Sequence, residues 1–332
     1  MLLMIWVNDV FSAPESGRIY RLLVLDSQLG SPYEEVCESM LERLKKYDYE
    51  EGKNLHVSFY SAGNDAAKGE AILRSEAHNG HDVVYVGGTT ATVAAKHVFL
   101  GADQPVVFAS PMDPVGIGVI DGFDTPPKSN FTGVCFPVPV KSRFRFIRQL
   151  MPDARRFGLI YADMPQLHSY NAWIKEMLAK DPQFKDIEVI FRKVPFAKGE
   201  EGDTRMAEIA LPIIHELDAQ VDLFIKPNDQ LGTRRIFAEQ IYAHASKPLI
   251  GIVKSDVMED WGAMAVVFPS HSSMGQQAAA MIHEIFEGKS VSRILPQWPA
   301  RYGYAVDLQK TRRFGVEVPV GLLQLAGENI RK

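Results

Sequence analysis

The sequence predicts an α/β protein built from two parallel-sheet units in series, and three observations lead there. Its 332 residues exceed what one core usually holds. Apolar strand-length runs alternate with amphipathic helix-length runs along almost the whole chain, the pattern of parallel sheets with helices on both faces. The alternation breaks at one long stretch, SPMDPVGIGVIDGFDTPPKSNFTGV (110–134), dense in glycine and proline, and then restarts.

The first unit reads in order as follows. IYRLLVLD (19–26) is a strand of apolar and β-branched residues. SPYEEVCESMLERLKKY (31–47) has helical spacing, with Val36, Met40, Leu41 and Leu44 on one face; Ser31 is placed to cap it, Pro32 to begin it and Glu34 to complete the cap. NLHVSFY (54–60) is a strand, DAAKGEAILRSEAH (65–78) a helix, DVVYVGG (82–88) a strand and TTATVAAKHVFL (89–100) a helix. PVVFA (105–109) is the fourth strand, and VCFPV (134–138) reads as another beyond the break. Within the break, Asp113 and Pro114 look like the cap and first turn of a short helix, PVGIGVID (114–121). Asn130-Phe131-Thr132 is formally a glycosylation sequon, read here as a turn and hinge.

The second unit repeats the plan. VKSRFRFIRQLM (140–151) is a helix, RRFGLIYA (155–162) a strand, SYNAWIKEMLAK (169–180) a helix and DIEVIFRKV (186–194) a strand. DTRMAEIALPIIHELD (203–218) is a helix carrying Pro212, VDLFIKP (221–227) a strand, TRRIFAEQIYAHA (233–245) a helix and KPLIGIV (247–253) a strand. AMAVVF (263–268) is a further strand and SSMGQQAAAMIHEIFEG (272–288) a long helix, before the tail RYGYAVDLQ (301–309) and RRFGVEVP (312–319).

Composition narrows the function classes. The net charge is −5 and no basic stripe occurs, so no nucleic-acid partner is expected. The repeated RRFG (155–158, 312–315) reads as solvated surface ahead of apolar runs. Cys37 and Cys135 stand in no metal or CxxC spacing and read as small buried hydrophobes, their pairing open. HNGH (78–81) has no further ligand nearby, so no metal and no cofactor is expected. MLLMIWV (1–7), with Val10 and Ser12 ahead of Ala13, reads as a short or truncated export signal within residues 1–18, lacking the usual cationic start.

The 112–162 block, MDPVGIGVIDGF…NFTGVCFPVPVKSRFRFIRQLMPDARRFGLIYA, resembles the pattern of a bacterial ABC-transporter substrate-binding family whose better-known members bind tryptophan, tyrosine or phenylalanine. YEEGKNLHVSFYSAGND (49–65), VDLFIKPNDQL (221–231), KPLIGIVKSD (247–256) and MGQQAAAMIHEIFEG (274–288) follow the family's order, so the resemblance spans roughly 19–319. It implies the type I periplasmic-binding, or Venus-flytrap, fold: two Rossmann-like lobes joined by crossings near 132–138, 257–265 and 292–300. Residues 19–134 and 266–292 would form the N-lobe, with helix 272–288 returning to it, and 135–265 and 293–332 the C-lobe.

The function so implied is an exported, periplasmic or extracytoplasmic binding protein, expected as a monomer. It would close on a small polar ligand, an amino acid or related metabolite, and deliver it to an ABC permease without chemistry. A relative serving a membrane sensor kinase is the alternative, because RLLVLDSQLGSPYEEVCESM (21–40) resembles such chains. Binding residues would sit in the first turn after each strand. In the N-lobe these are Ser27, Gln28, Thr89, Thr90, Met112 and Asp113; Thr89 and Thr90 open a helix whose free N–H groups suit a carboxylate. In the C-lobe they are Asp163, His168, Tyr170, Asn171, Asn228, Asp229, Ser255 and Asp256, with Asp229 at the family's acidic position for an ammonium group, and His271 before the returning helix. PSHSSMG (269–275) and LDSQLGSPYEE (25–35) depart from the family pattern, which leaves the ligand open beyond its class.

A repressor of this fold is expected to carry about 50 residues of DNA-binding helices ahead of the first strand, and 18 residues precede Ile19. A two-lobed enzyme such as a nucleotide-sugar glycosyltransferase is expected to carry phosphate-binding glycines, and VGGTTA (86–91) is neither GxGxxG nor a P-loop. Ser27 lies in no GxSxG elbow.

Overall fold

The computed structural model describes residues 14, 15, 17–123, 125–164, 168–197 and 201–332. The expected export signal falls almost wholly outside the described residues. The chain divides into two units.

The first unit takes the residues up to Ala109, then Val119–Val134 and His271–Pro296. Its five strands are β1 (Tyr20–Asp26), β2 (Leu55–Ser61), β3 (Val83–Gly87), β4 (Val106–Ala109) and β5 (Phe131–Val134). They form one sheet in the order β2-β1-β3-β4-β5, parallel throughout. A sheet covered on both faces wants apolar residues at every position, and β3, β4 and β5 are buried along their whole length. The helices are α1 (Tyr33–Lys46), α2 (Ala66–Glu76) and α3 (Thr89–Phe99). Pro32, not Ser31, occupies the N-cap of α1 and no side chain caps it; Glu34 and Glu35 instead place negative charge in its first turn.

The second unit takes Ser110–Gly118, Cys135–Ser270 and Gln297–Lys332. Its helices are α4 (Pro114–Ile117), α5 (Val140–Leu150), α6 (Ser169–Lys180), α7 (Gly202–Asp218), α8 (Arg235–His244) and α9 (Ser255–Met258), and α10 (His271–Phe286) belongs to the first unit. Its strands are β6 (Arg156–Ala162), β7 (Glu188–Val194), β8 (Leu223–Ile225), β9 (Leu249–Ile250), β10 (Ala265–Pro269), β11 (Tyr302–Asp307) and β12 (Ile330–Arg331). The sheet order is β12-β11-β10-β9-β8-β6-β7, with β10 and β11 the antiparallel pair. Helices α11 (Leu308–Arg313) and α12 (Val320–Ala326) complete the tail.

Four expectations shift. The strand read over 134–138 is instead Phe131–Val134, because Pro137 and Pro139 offer no N–H to a ladder. The short helix read over 114–121 stops at Ile117, where Gly118 turns left-handed with φ 80°. Ser110–Gly118, with Met112 and Asp113, groups with the second unit rather than the first. The passage expected near 257–265 falls at Ser270–His271, because β10 pairs with β9 and β11 and so stays in the second sheet.

Helix α10 packs on α1 and on β3, β4 and β5. Gly275 makes the approach to α1 possible: a Cβ there would lie 2.3 Å from the Val36 carbonyl oxygen and 2.8 Å from the Met40 nitrogen. The Asn130 side chain ties the loop before β5 to the α3–β4 connection. It donates to the carbonyls of Phe99 (2.8 Å) and Gln104 (2.6 Å) and accepts from the Gly101 N–H (3.0 Å). Thr132 donates to the Ile294 carbonyl at 2.8 Å. The sequon residues Asn130 and Thr132 are thus the joints of the break.

Candidate functional site

In the first unit the predicted residues gather at the carboxyl ends of β1 and β3. Gly88, with φ 88°, lets the chain turn tightly there; a Cβ would fall 2.3 Å from Tyr33 Cε1 and 2.6 Å from Ser27 Oγ. Ser27 is buried and its Oγ accepts the Ala91 N–H at 3.0 Å, so it fills one donor of the α3 N-terminus itself. Thr90 donates to Asn64 Oδ1 at 2.9 Å, and Thr92 closes back on the Gly88 carbonyl at 2.7 Å. Thr89 is half-buried at the helix start and Gln28 is exposed. The expected carboxylate cradle is therefore partly filled by the protein's own side chains. His271, the first residue of α10, pairs with Glu35 at 2.7 Å.

In the second unit several expected binding residues are engaged by the protein's own groups. Asp113 is buried; Oδ1 accepts the Gly116 N–H at 2.6 Å and Oδ2 the Ser169 N–H at 2.9 Å, so it caps α4 and steadies the start of α6. Met112 beside it is half-buried. Asp229, the expected ammonium holder, faces inward: Oδ1 accepts from Gly232 (2.9 Å) and Oδ2 from Ala162 (2.8 Å). Burial lifts its pKa to about 7, against the pull of those amides. Asp256 is sealed in an ion pair with Lys226 at 2.5 Å, both side chains fully buried, and its Oδ2 takes the N–H groups of Ile252 (2.8 Å) and Val253 (3.1 Å). Burial lowers the Lys226 pKa.

The others are more open. Asp163 pairs with Lys193 at 2.8 Å, which lowers its pKa, and stands 3.6 Å from His168. His168 lies edge-on to Tyr161 at the start of α6. Ser255 donates to Glu259 at 3.1 Å. Tyr170 is buried, donates to the Val138 carbonyl at 2.8 Å, and neighbours Asn228 in the lining of a small pocket; Asn171 is buried one position on.

Two residues of this region escaped the sequence reading. Arg143, on α5, donates Nη2 to the Lys226 carbonyl at 2.8 Å and is 2% exposed. Lys226 sits at the end of β8. Both left a trace: Arg143 falls on the apolar stripe of Val140, Phe144 and Ile147, and Lys226 interrupts LFIKP, an otherwise buried run. A charge on a buried face calls for a partner.

Comparison with known proteins follows this geometry. The family model described as "ABC transporter substrate binding protein" matches residues 31–330. A tyrosine-binding protein of Clostridioides difficile is 23% identical over 258 residues, 77% of this chain and 70% of its own. Among solved structures, a ligand-free, open substrate-binding protein with adhesive properties from Clostridium difficile superposes with a TM-score of 0.73 at 19% identity, covering 94% of this chain and 98% of that one. An ABC domain in complex with L-Trp from Streptococcus pneumoniae gives 0.69 at 17% identity, covering 93% and 99%. A conserved domain protein from Vibrio cholerae gives 0.71 at 20% identity, covering 95% and 100%. These likenesses show the fold, which is that of the type I periplasmic binding proteins.

Proposed function

The chain belongs to the ABC transporter substrate binding protein family, and from that premise we propose that it captures a free amino acid outside the cytoplasm and delivers it to an ABC importer. The observation that carries this reading is the family match itself, which runs through both units from residue 31 to 330. The ligand class follows from relatives named for tyrosine and solved with L-Trp. Polar side chains gathered at strand ends in each unit, where α/β sheets receive ligands, support it. No described helix is long and apolar enough to cross a membrane. The protein acts as a monomer and returns its ligand unchanged.

The test is a thermal melt of the full chain after unfolding and refolding to strip carried-over ligand, against a panel of amino acids, sugars and nucleosides. An amino acid at 100 times its dissociation constant stabilises the native state by about 2.7 kcal/mol. A shift with amino acids and recovery of the same compound intact establish binding without turnover. A shift confined to nucleotide sugars overturns the reading in favour of an enzyme.

A further inference from the structure

Arg143 is a buried cation with unused donors. Its Nη2 donates to the carbonyls of Lys226 (2.8 Å) and, more weakly, Gly251 (3.4 Å). Its Nε and Nη1 reach no acceptor in good hydrogen-bond geometry among the described residues, and neither does the Nδ2 of Asn228, itself 6% exposed; the Tyr170 hydroxyl, which donates to Val138, stands beside both groups. Arg143 and Asn228 both line one small pocket in the second unit, with Phe136, Tyr170, Ile252 and Pro269. The pocket encloses about 10 Å³, room for roughly one water-sized atom.

No carboxylate among the described residues is in ion-pair contact with Arg143; the charge of Asp256 reaches it without a hydrogen bond. Asp256 is committed to Lys226, Ile252 and Val253. Asp229 is committed to Gly232 and Ala162. A guanidinium keeps its proton at any working pH, so Arg143 stays a buried cation that shares the field of Asp256 with Lys226 and has no carboxylate of its own in contact. A water would satisfy the donors and leave the charge.

We propose that this pocket is a carboxylate seat: one carboxylate oxygen enters it and accepts hydrogen bonds from Arg143 and Asn228. Resting on the amino-acid reading above, its occupant is the α-carboxylate of the bound amino acid; a free carboxylate such as formate carries the same chemistry. The seat displaces the one expected at the start of α3, where Ser27 already takes the Ala91 N–H. Arg matches a carboxylate better than any other side chain, because its planar fork presents parallel donors.

The experiment melts the refolded full chain with sodium formate against sodium chloride at equal ionic strength, and with L-tyrosine and L-tryptophan against tyramine and tryptamine. Wild type, Arg143→Gln and Asn228→Ala are compared, with circular dichroism to confirm that each variant folds. The seat predicts shifts with formate and with the amino acids, none with the amines, and affinity losses of about 100-fold in Arg143→Gln and about 10-fold in Asn228→Ala. Amino-acid binding equal in wild type and both folded variants overturns the seat and leaves the amino-acid reading standing. A formate shift in wild type that Arg143→Gln abolishes, with no response to either amino acid, upholds the seat and overturns that ligand assignment. No carboxylate response in wild type, or one that both variants share, overturns the seat. If Arg143→Gln does not fold, Asn228→Ala decides alone.

Discussion

Asp26 closes β1 with a fully buried carboxyl, and neither of its oxygens has a hydrogen-bond partner among the described residues. Gly87 makes the room: a Cβ there would stand 1.9 Å from Asp26 Oδ1. Burial, with a smaller push from the charge of Glu34, raises the Asp26 pKa from 3.8 to about 7. An acid whose folded pKa is raised stays protonated in the fold after the unfolded chain has released its proton. Its stabilising contribution is complete below pH about 4 and is lost as pH rises through about 7. A shift of this size corresponds to roughly 4 kcal/mol as an upper bound. Asp26→Asn therefore gains stability over wild type as pH rises from 4.5 to 8, read by urea unfolding at the two ends; a difference that stays flat across this range disproves the buried protonated acid. The sequence showed Asp26 only as the polar end of a strand, because its burial comes from Gly87 on the neighbouring strand. Asp229 shows the same limit from the other side. Its position at a strand end was legible, but whether a carboxylate faces a ligand or its own loop amides depends on the turn of that loop.

Among the elements, α10 was the most legible and β9 the least. Small residues on one face of α10, Gly275, Ala278 and Ala279, stand out in the sequence, and all are buried. They let α10 lie close on α1, and Gly275→Val pushes a branched side chain into the α1 backbone at Val36 and Met40. Overpacking of this kind costs about 1–3 kcal/mol. The variant is expected to melt several degrees lower while Gly288→Ala, at an open position past the helix, changes little beyond its backbone strain; equal melting of Gly275→Val and wild type would refute the close packing. By contrast β9 is two residues long and β12 likewise. Strands of that length lack enough residues to show a period, so hydrophobic patterning overextends the first (247–253) and passes over the second. The helix α9 behind β9 has only four residues and escapes for the same reason.

At the scale of the molecule, neither unit is a continuous stretch of chain. Alternating strands and helices announce parallel sheets but do not say which sheet a given strand joins, so the discontinuity was legible only through the family resemblance. Even then the passage near β10 was placed several residues early. The first unit needs α10, which arrives more than a hundred residues after β5. Four large side chains of α10, Met274, Met281, Ile282 and Phe286, are 0–3% exposed. At about 1.5–3 kcal/mol each they contribute roughly 6–12 kcal/mol, as much as the whole net stability of an ordinary domain. A fragment of residues 14–134 therefore keeps its five strands in sequence but lacks the helix that covers β3, β4 and β5. It is expected to show helical and strand signal without a cooperative melt, and to bind a hydrophobic dye. Joining residues 271–296 to its end through a flexible linker restores the missing layer and, with it, a single cooperative transition. A sharp melt from the shorter fragment alone would mean that α10 is dispensable, and the burial argument for this unit would fail with it.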